Sequence, residues 1–469
     1  MGSFLSLIRN EHMKIYKKLG TYIMIAILIA LTIIPAIIVK YVNSRDYSEN
    51  WGDEHYKNHL EELLKDESLS ADDRAYYESE IQGIEYRQQN NIEGGSWQEE
   101  AASDMFSFYG GLDEEGQIIY DEGFAEIDQF IKNDDWKGYL NYQKDKYEKI
   151  IKESNGDSGY EQVVEAIDMR LKHDAPRSAD SENWKSSVID QYSYDASNIV
   201  YLEQSLEDKT LDQEDREYIE NNLDLTKKNM AIAKYRLEND IEPMKDDSQW
   251  GYISDISSFL LFNLIAVFIA IVASGIVAGE FSNGTIKLLL IRPNKRWKIL
   301  ASKYVTLFIF TIEMVVIALI VSYLTGGIFF GFEGIPTFLY TKGGAVMEQS
   351  LLARTLFESA LSSVPLIIVF TMAFMISTVL KNAGLSIGLS VFLLLTGPTV
   401  TGILAQLRFK PAKYLITANW NLIYYFMDDK SYIPFSGMTF TFSLVNVLVY
   451  FIAANIITFT VFAKRDVAT

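Results

Sequence analysis

The chain has 469 residues, 49% of them hydrophobic, and a formal net charge of −20. It contains no cysteine, which excludes a disulfide framework, thiol catalysis and cysteine-based metal binding, and suits a bacterial surface protein. The mean hydropathy near zero hides a strong separation between long apolar runs and one very acidic segment, and this separation excludes an ordinary soluble protein.

Six runs are almost free of charged residues, and only Glu313 interrupts the third. Each run meets the roughly 20 apolar residues that a helix needs to cross about 30 Å of hydrocarbon. We therefore predict an all-α membrane protein, with six transmembrane helices and a mainly helical extracellular domain between spans one and two. The runs are residues 19–39, 256–279, 304–332, 359–380, 382–407 and 431–463.

The amino-terminal residues 1–18 include the amphipathic stretch "FLSLIRNEHMKIYKK". We expect it to form an elbow helix on the cytoplasmic membrane surface. Span one, residues 19–42, is longer than the apolar core of a secretion signal, and no small-x-small cleavage site follows it. The first span is therefore predicted to be a retained membrane anchor.

Basic residues gather at alternate ends of the spans. The segments before span one, between spans two and three, between spans four and five, and after span six hold 13 basic residues against three acidic ones. Positive charge marks the cytoplasmic side of a membrane protein. Both termini are therefore expected to be cytoplasmic, and residues 43–250 to lie outside a bacterial cell membrane.

The segment 43–250 carries 52 of the 62 acidic residues and 22 of the 42 basic ones, so its net charge is −30. Such a field keeps a domain soluble and disfavours nucleic acid and anionic lipid as its ligands. His55 and His59 are spaced to share a helix face, but no third ligand accompanies them, so we predict no metal site.

This acidic segment contains a repeat. Residues 60–81 match residues 202–223 at nine of 22 positions without a gap. Each copy predicts a helical hairpin, with Ser68 or Thr210 capping its second helix. The hairpins are expected to form two stalks, and the glycine-rich, aromatic segment between them to form a less regular cap.

Residues 251–469 contain spans two to six, and the link between spans two and three is basic and half apolar. Ser282, Asn283 and Gly284 favour a turn, Thr285 can cap a new helix, and Pro293 must interrupt it. The sequence therefore predicts a short amphipathic helix within residues 280–300, lying on the cytoplasmic membrane surface.

This link resembles the loop after the second span of ABC type-2 exporter permeases, a group that includes bacterial antibiotic-peptide exporters. The likeness extends to the elbow helix, the six spans and the closing "FAKRDV", but not to residues 43–250. It implies that residues 280–300 form a coupling helix, which transmits movement of a cytoplasmic ATPase to the spans. The matching residues are Glu280, Gly284, Thr285, Leu288, Leu289, Pro293, Arg296, Ile299 and Lys303.

The chain lacks the Gly-x4-Gly-Lys-Ser/Thr phosphate loop, so we do not expect it to be an enzyme or to carry a cofactor of its own. The resemblance implies two copies of an ABC ATPase subunit that bind ATP and Mg²⁺. It also implies a second permease chain, identical or related, embedded with this one in membrane lipid. Nucleic acid is not an expected partner.

The expected function is export of a peptide or a lipid-like amphiphile, driven by the separate ATPase. An alternative is a surface receptor or anchoring protein of the phage-infection-protein type, which also carries a large outer domain after its first span. An intramembrane enzyme is disfavoured, because the predicted spans contain one carboxylate and no histidine.

Glu313 lies near the middle of predicted span three. A charge at that depth costs at least roughly 2.5–3.5 kcal/mol, so the side chain should face protein or a water-filled cavity, or be protonated. Asn263, Asn446 and Asn455 are possible partners. Glu313 is expected either to line the transport route or a gate, or to hold helices together as a neutral carboxyl.

Pro398, after Gly397, is expected to break the fifth span. The following segment, residues 408–430, is aromatic and amphipathic, and the resemblance implies short re-entrant helices there, at an outer gate. An interfacial aromatic belt is the alternative. Together with Glu313 and Asn263, Pro398 and Trp420 are the predicted residues of the transport route.

Overall fold

The structure is a computed structural model. It describes residues 4–43, 50–66, 68–107, 109–112, 118–120, 123–153, 160–178, 183–256, 262–285 and 295–464. Within these ranges the protein is mostly helical, and six of the helices are long and apolar enough to cross a membrane.

The chain begins with two helices, α1 (Phe4–Tyr16) and α2 (Leu19–Asn43). Helix α1 buries one face, on which Leu7, Glu11 and Ile15 recur every four residues. The Thr21 hydroxyl donates to the Ile15 carbonyl at 2.6 Å and fixes the short turn between the helices. Helix α1 therefore packs on the bundle as an elbow, with a buried carboxyl in its apolar face.

An inserted domain separates α2 from the other long helices. It has two apolar cores, one around Tyr139 and Met105 and the other around Tyr192 and Ile189. Its elements are α3 (Asn50–Leu63), α4 (Ala71–Gln89), α5 (Trp97–Ser107), β1 (Tyr109–Leu112), β2 (Ile118–Tyr120), α6 (Gly123–Lys132), α7 (Trp136–Glu153), α8 (Glu161–His173), α9 (Trp184–Leu206) and α10 (Gln213–Asn239).

The two repeated segments fold as matching turns between α3 and α4 and between α9 and α10. In the first, the backbone N–H and the hydroxyl of Ser68 both donate to Asp66 Oδ1, at 2.9 and 2.7 Å. In the second, Thr210 does the same to Asp208 Oδ1, with both distances 2.8 Å. The shared aspartate thus builds the turn, because its side chain replaces a backbone acceptor.

This role of Ser68 and Thr210 differs from the predicted one. The second helix of each hairpin is capped two residues later, by Ser70 in α4 and by Asp212 in α10. Sequence spacing alone did not distinguish these two roles, because the same residue types stabilise turns and cap helices. The predicted cap between the hairpins is also more regular than expected, since it contains α5, α6 and the β1–β2 pair.

The rest of the chain supplies the other five long helices. The short α11 (Gln249–Asp255) packs against the third long helix, Arg296–Phe330. The long helices are α12 (Phe262–Ser282), α13 (Arg296–Phe330), α14 (Leu351–Leu380), α15 (Ala383–Gln406) and α17 (Phe440–Lys464). Between α15 and α17 lie two 3₁₀ turns, Lys410–Tyr414 and Leu422–Phe426, and the short α16 (Ile416–Asn419).

Contacts define two ends of this bundle. At the terminus end, Arg296 at the start of α13 reaches the Ala463 carbonyl near the end of α17, at 3.5 Å. At the domain end, Lys40 of α2 donates to the Phe329 carbonyl of α13, at 2.8 Å. Helices α2 and α13 therefore run in the same direction and α17 runs opposite to them, as expected for spans one, three and six of one membrane protein.

Helix α12 lies at the centre of the bundle, against α14 and α15. The Ser377 hydroxyl donates to the Ser274 carbonyl at 2.6 Å, and the Ser274 hydroxyl donates to Ser390 at 2.9 Å. Small hydroxyl residues let helix backbones approach closely and hold them together where water is absent. Helices α12 and α14 are accordingly well buried, whereas α2, α15 and α17 expose broad apolar faces.

The all-α prediction is wrong in one respect, because the described chain contains two small antiparallel hairpins. One is β1–β2, and the other joins β3 (Thr337–Lys342) to β4 (Ala345–Ser350) between α13 and α14. Gly343 and Gly344 form the β3–β4 turn with φ of 60° and 83°, values that suit glycine in a two-residue hairpin loop.

The predicted break at Pro398 is absent, since α15 runs through this residue. A proline removes one hydrogen bond without ending a helix that its neighbours support.

Gly397, next to Pro398, allows close packing. A Cβ placed there would lie 2.7 Å from Cγ2 of Thr417, so the missing side chain lets α16 approach α15.

We therefore expect the substitution Gly397→Ala to destabilise the protein by about 1–3 kcal/mol, because the added methyl group overpacks the contact with Thr417. Thermal unfolding in detergent measures the effect. Gly402→Ala on the same helix is the matched control: a Cβ there meets nothing within 4 Å, so its effect should stay within about 0.5 kcal/mol. Adding Thr417→Ser to G397A should restore the stability of the parent protein. Equal losses of stability in G397A and G402A would contradict the explanation.

Candidate functional site

Lys303, in the third turn of α13, is a fully buried cation with a relative exposure of 2%. Its ammonium lies 2.6 Å from Glu11 Oε2 and 2.8 Å from Glu280 Oε1. A charge removed from water is tolerated only when opposite charges and hydrogen bonds replace its hydration. The two carboxylates, from α1 and from the end of α12, supply that replacement.

Lys14 completes what we call the charge cluster: Glu11, Lys14, Glu280 and Lys303. Its ammonium lies 2.7 Å from Glu11 Oε1 and 3.1 Å from Glu280 Oε1. Burial alone would raise the pKa of Glu11, but the charge of Lys303 and the hydrogen bonds from both lysines bring that pKa below its ordinary value. The cluster therefore holds two anions and two cations, and is neutral as a whole.

The charge cluster joins three separate pieces of chain at the terminus end. Glu11 belongs to the elbow helix α1, Glu280 to the last turn of α12, and Lys303 to the start of α13. Charge-assisted hydrogen bonds are about twice as strong as neutral ones, and they strengthen further where water is excluded. A displacement of one piece is thus transmitted to the other two.

The structure brings together two of the predicted coupling residues, Glu280 and Lys303. Gly284 turns the chain after α12 with φ of 70°, and the Thr285 hydroxyl reaches the Glu280 carbonyl at 3.4 Å. Arg296 is the first residue of α13, so it and the buried Ile299 lie on the third long helix itself. Leu288, Leu289 and Pro293 lie outside the described residues.

Sequence reasoning missed the contribution of α1 to this site. A signal was present, because Glu11 is the one acid among four basic residues before span one, and Lys14 follows it at helical spacing. An acid in a segment that otherwise carries positive charge, on the apolar face of an amphipathic helix, indicates a buried ion pair. The partner, almost 300 residues away, could not be inferred.

Glu313 has partners on the same elbow helix. His12 Nε2 lies 2.8 and 3.0 Å from its two carboxylate oxygens, and the Tyr16 hydroxyl donates to Oε2 at 2.8 Å. Burial and the Glu313 carboxylate raise the pKa of Tyr16, so this phenol stays a donor. Asn446 and Asn455, expected as partners, instead donate to carbonyls four residues back in α17.

Glu313 stands ten residues beyond Lys303, about 15 Å further along α13 at 1.5 Å per residue. Helix α1 therefore contacts α13 twice, at the charge cluster and at Glu313. The second contact makes an otherwise costly intramembrane carboxylate a docking point for the elbow helix.

The other predicted route residues are scattered. Asn263 is exposed in the first turn of α12, and Pro398 is exposed on α15. Trp420, by contrast, is buried against α12, α14 and α17, where it contacts Ala270, Val369 and Val447. The segment between α15 and α17 thus enters the bundle as short helical turns, and the predicted route residues, Glu313 included, lie on four different elements.

Comparison with known proteins places this architecture in a family. A family model described as "Protein of unknown function (DUF2705)" matches residues 222–468, which cover about two thirds of α10 and the helices from α11 to α17. The chain belongs to the DUF2705 family. No solved structure matches it.

Two relatives come from Bacillus subtilis (strain 168). "Uncharacterized protein YhcI" is 41% identical over 245 residues, which are 52% of this chain and 76% of the relative. "Uncharacterized membrane protein YdbK" is 26% identical over 222 residues, 47% of this chain and 85% of that protein. Together with the six apolar helices, the second name indicates a multi-pass membrane protein.

Within the DUF2705 match, Glu280 and Lys303 are included, whereas Glu11 and Lys14 precede it. Nearly all of the inserted domain precedes it as well. The charge cluster thus joins the family's shared bundle to the elbow helix of this chain.

We expect Lys303→Met to destabilise this DUF2705 chain by about 3–5 kcal/mol, because the substitution leaves Glu11 and Glu280 facing each other in a buried site. Thermal unfolding of the purified protein in detergent is the measurement. Lys14→Met is the matched control: its half-exposed ammonium should contribute less than about 1 kcal/mol. The triple variant E11Q/E280Q/K303M, which removes all three charges, should regain most of the stability that K303M loses. If it does not, the loss in K303M comes from packing and not from charge.

Proposed function

We propose that this chain is the membrane-spanning subunit of an ATP-driven exporter whose ATPase is a separate polypeptide. The observation that carries the proposal is the charge cluster, which links both sides of the α12–α13 connection to the elbow helix. This connection is the segment that resembles the coupling loop of ABC type-2 permeases. In this proposal the terminus end is cytoplasmic and the inserted domain is extracellular.

The cluster gives a physical route for coupling. An ATPase that presses on the α12–α13 connection would move Glu280, and Lys303 and Glu11 would follow because a buried ion pair resists separation. Helices α1, α12 and α13 then shift together. Rigid helices with two packing arrangements can carry such a shift across the membrane, provided the ATPase state favours one arrangement.

The assembly would contain two permease chains, identical or related, and two ATPase subunits that hold ATP and Mg²⁺. The broad apolar faces of α2, α15 and α17 support contact with lipid and with a second permease. The transported molecule would be a peptide or a lipid-like amphiphile. A receptor or anchoring protein would need no buried coupling between these helix ends, so the exporter is preferred.

The first test is assembly with an ATPase. Co-expression with the ATPase encoded beside this gene should yield a stable complex that hydrolyses ATP. Glu280→Gln or Arg296→Ala should lower the hydrolysis rate by about fivefold or more, as expected when a coupling energy of 1–3 kcal/mol is lost. Lys342→Gln, an exposed cation on β3, is the control and should leave the rate unchanged. A chain that purifies alone, with no neighbouring ATPase, would reject the exporter in favour of the receptor.

A second test concerns Glu313. Glu313→Gln should keep the fold within about 1 kcal/mol of the parent, because an amide can still bond His12 and Tyr16. The ATP hydrolysis rate of the complex should nevertheless fall, since the carboxylate no longer ties α1 to α13. Thermal unfolding and the hydrolysis rate are measured on the same preparation. Tyr16→Phe, which keeps the carboxylate, should have a smaller effect, and an unchanged rate in E313Q would assign this contact a structural role.

A further inference from the structure

A cleft of about 1050 Å³ lies between the first turns of α10 and the connection from α15 to α17. Its upper wall belongs to the inserted domain and includes Asp212 and Glu217. Its floor belongs to the connection and includes Lys410, Lys413 and Lys430. The cleft thus sits where the inserted domain meets the domain end of the bundle, outside the site described above.

The acidic residues of the wall already contact residues of the α15–α17 connection. Arg408, just after α15 and with φ of 53°, aims its guanidinium at three carboxylates in the first turn of α10: Asp212, Asp215 at 2.9 Å and Glu214 at 3.4 Å. The Ser436 hydroxyl donates to Glu217. These contacts hold the inserted domain on the connection, and Arg408 offsets part of the negative charge of the wall.

The lysines of the floor are not neutralised in this way. Among the described residues, no carboxylate lies within ion-pair distance of Lys410, Lys413 or Lys430. The Lys430 ammonium donates only to backbone carbonyls, those of Met427 at 2.6 Å and Tyr425 at 3.2 Å. Burial is the main cause that lowers the pKa of Lys430, and the charge of Lys228 lowers it further, whereas Asp428, Asp224 and Asp429 partly offset these effects. The floor therefore favours an anion.

The same cleft has an apolar side. Ala405, Phe435, Met438 and Phe440 line it, and two of them mark the ends of long helices. Ala405 is in the last turn of α15 and Phe440 is the first residue of α17. The cleft therefore opens where the apolar surface of the bundle begins, and one molecule could touch both the lysines and that surface.

We propose that this cleft binds the anionic headgroup of an amphiphile, with its phosphate or carboxylate on Lys410 and Lys413 and its apolar chain beside the ends of α15 and α17. A cationic peptide is disfavoured on this floor, because Lys410, Lys413 and Lys430 would repel it. The residues that line the cleft include four basic side chains, Arg408 and the three floor lysines, against the acidic Asp212, Glu214 and Glu217. Charges of the inserted domain that lie beyond about 8 Å are largely screened at physiological salt. Binding of the amphiphile does not depend on the proposed function. The claim that the bound amphiphile is also the exported substrate does.

The test compares two probes with the same chain and different headgroups, hexadecyl phosphate and hexadecylphosphocholine. Native mass spectrometry of the full chain in neutral detergent measures the fraction of protein that retains each probe. The parent protein should retain hexadecyl phosphate in preference to hexadecylphosphocholine. The variant K410Q/K413Q should weaken retention of hexadecyl phosphate by about fivefold for each lysine removed, and should not affect the other probe.

Lys342→Gln removes one exposed positive charge at the same end of the bundle and should leave both probes unaffected. Equal retention of the two probes by the parent, or equal losses in K342Q and K410Q/K413Q, would overturn the proposal. Displacement of hexadecyl phosphate by an equal concentration of inorganic phosphate would also overturn it, by identifying a free oxyanion as the ligand. An unfolding midpoint matching the parent's shows that K410Q/K413Q is folded.

This measurement uses neither ATPase nor nucleotide. A failed assembly with the ATPase would therefore remove the export proposal and leave the binding result standing. A failed binding test would remove the amphiphile and leave the export proposal to be judged by its own experiments.

Discussion

The terminus end of this protein depends on a lysine that water cannot reach. Burying an ammonium without opposite charges is very costly, so the packing around Lys303 requires Glu11 and Glu280 beside it. The positions of α1, the end of α12 and the start of α13 therefore depend on one another. Apolar contacts alone would permit these helices to slide, whereas the charge cluster fixes their register.

This constraint also explains the elbow helix. Helix α1 is short and amphipathic, and such helices are marginal in isolation. It docks because its buried face offers a carboxylate to Lys303, and its next turn offers His12 and Tyr16 to Glu313. Two acids that would be costly in a membrane, one on each helix, thus become the contacts that position α1. The same contacts make α1 the element best placed to sense movement of α12 and α13.

Much of the fold could be predicted from the sequence, because membrane spans depend on local apolarity. All six predicted runs correspond to long helices, although α13 begins at Arg296, eight residues before the predicted run. The repeat was visible because Asp66 and Asp208, with their following hydroxyls, are needed for the same turn. Features made by few residues were missed, such as the Gly343–Gly344 hairpin.

The candidate site was only half predictable, for a different reason. Glu280 and Lys303 carry a local pattern that resembles a known loop, so they could be selected from one stretch of chain. Glu11 and His12 act through pairing with residues about 300 positions away, and no local pattern encodes such a pairing. The expected asparagine partners of Glu313 illustrate the same limit, because choosing partners by polarity ignores which helices touch.

The two ends of the bundle use opposite electrostatic designs. At the terminus end, Lys303 and its two carboxylates are largely shielded from water, so salt screens their attraction only weakly. At the domain end, Arg408 and the carboxylates of α10 are half exposed, so solvent and salt weaken their attraction. Helix α13, 35 residues and about 52 Å long, connects the two regions. The contact between the inserted domain and the connection is therefore more sensitive to salt than the contact at Lys303, although the same helix reaches both.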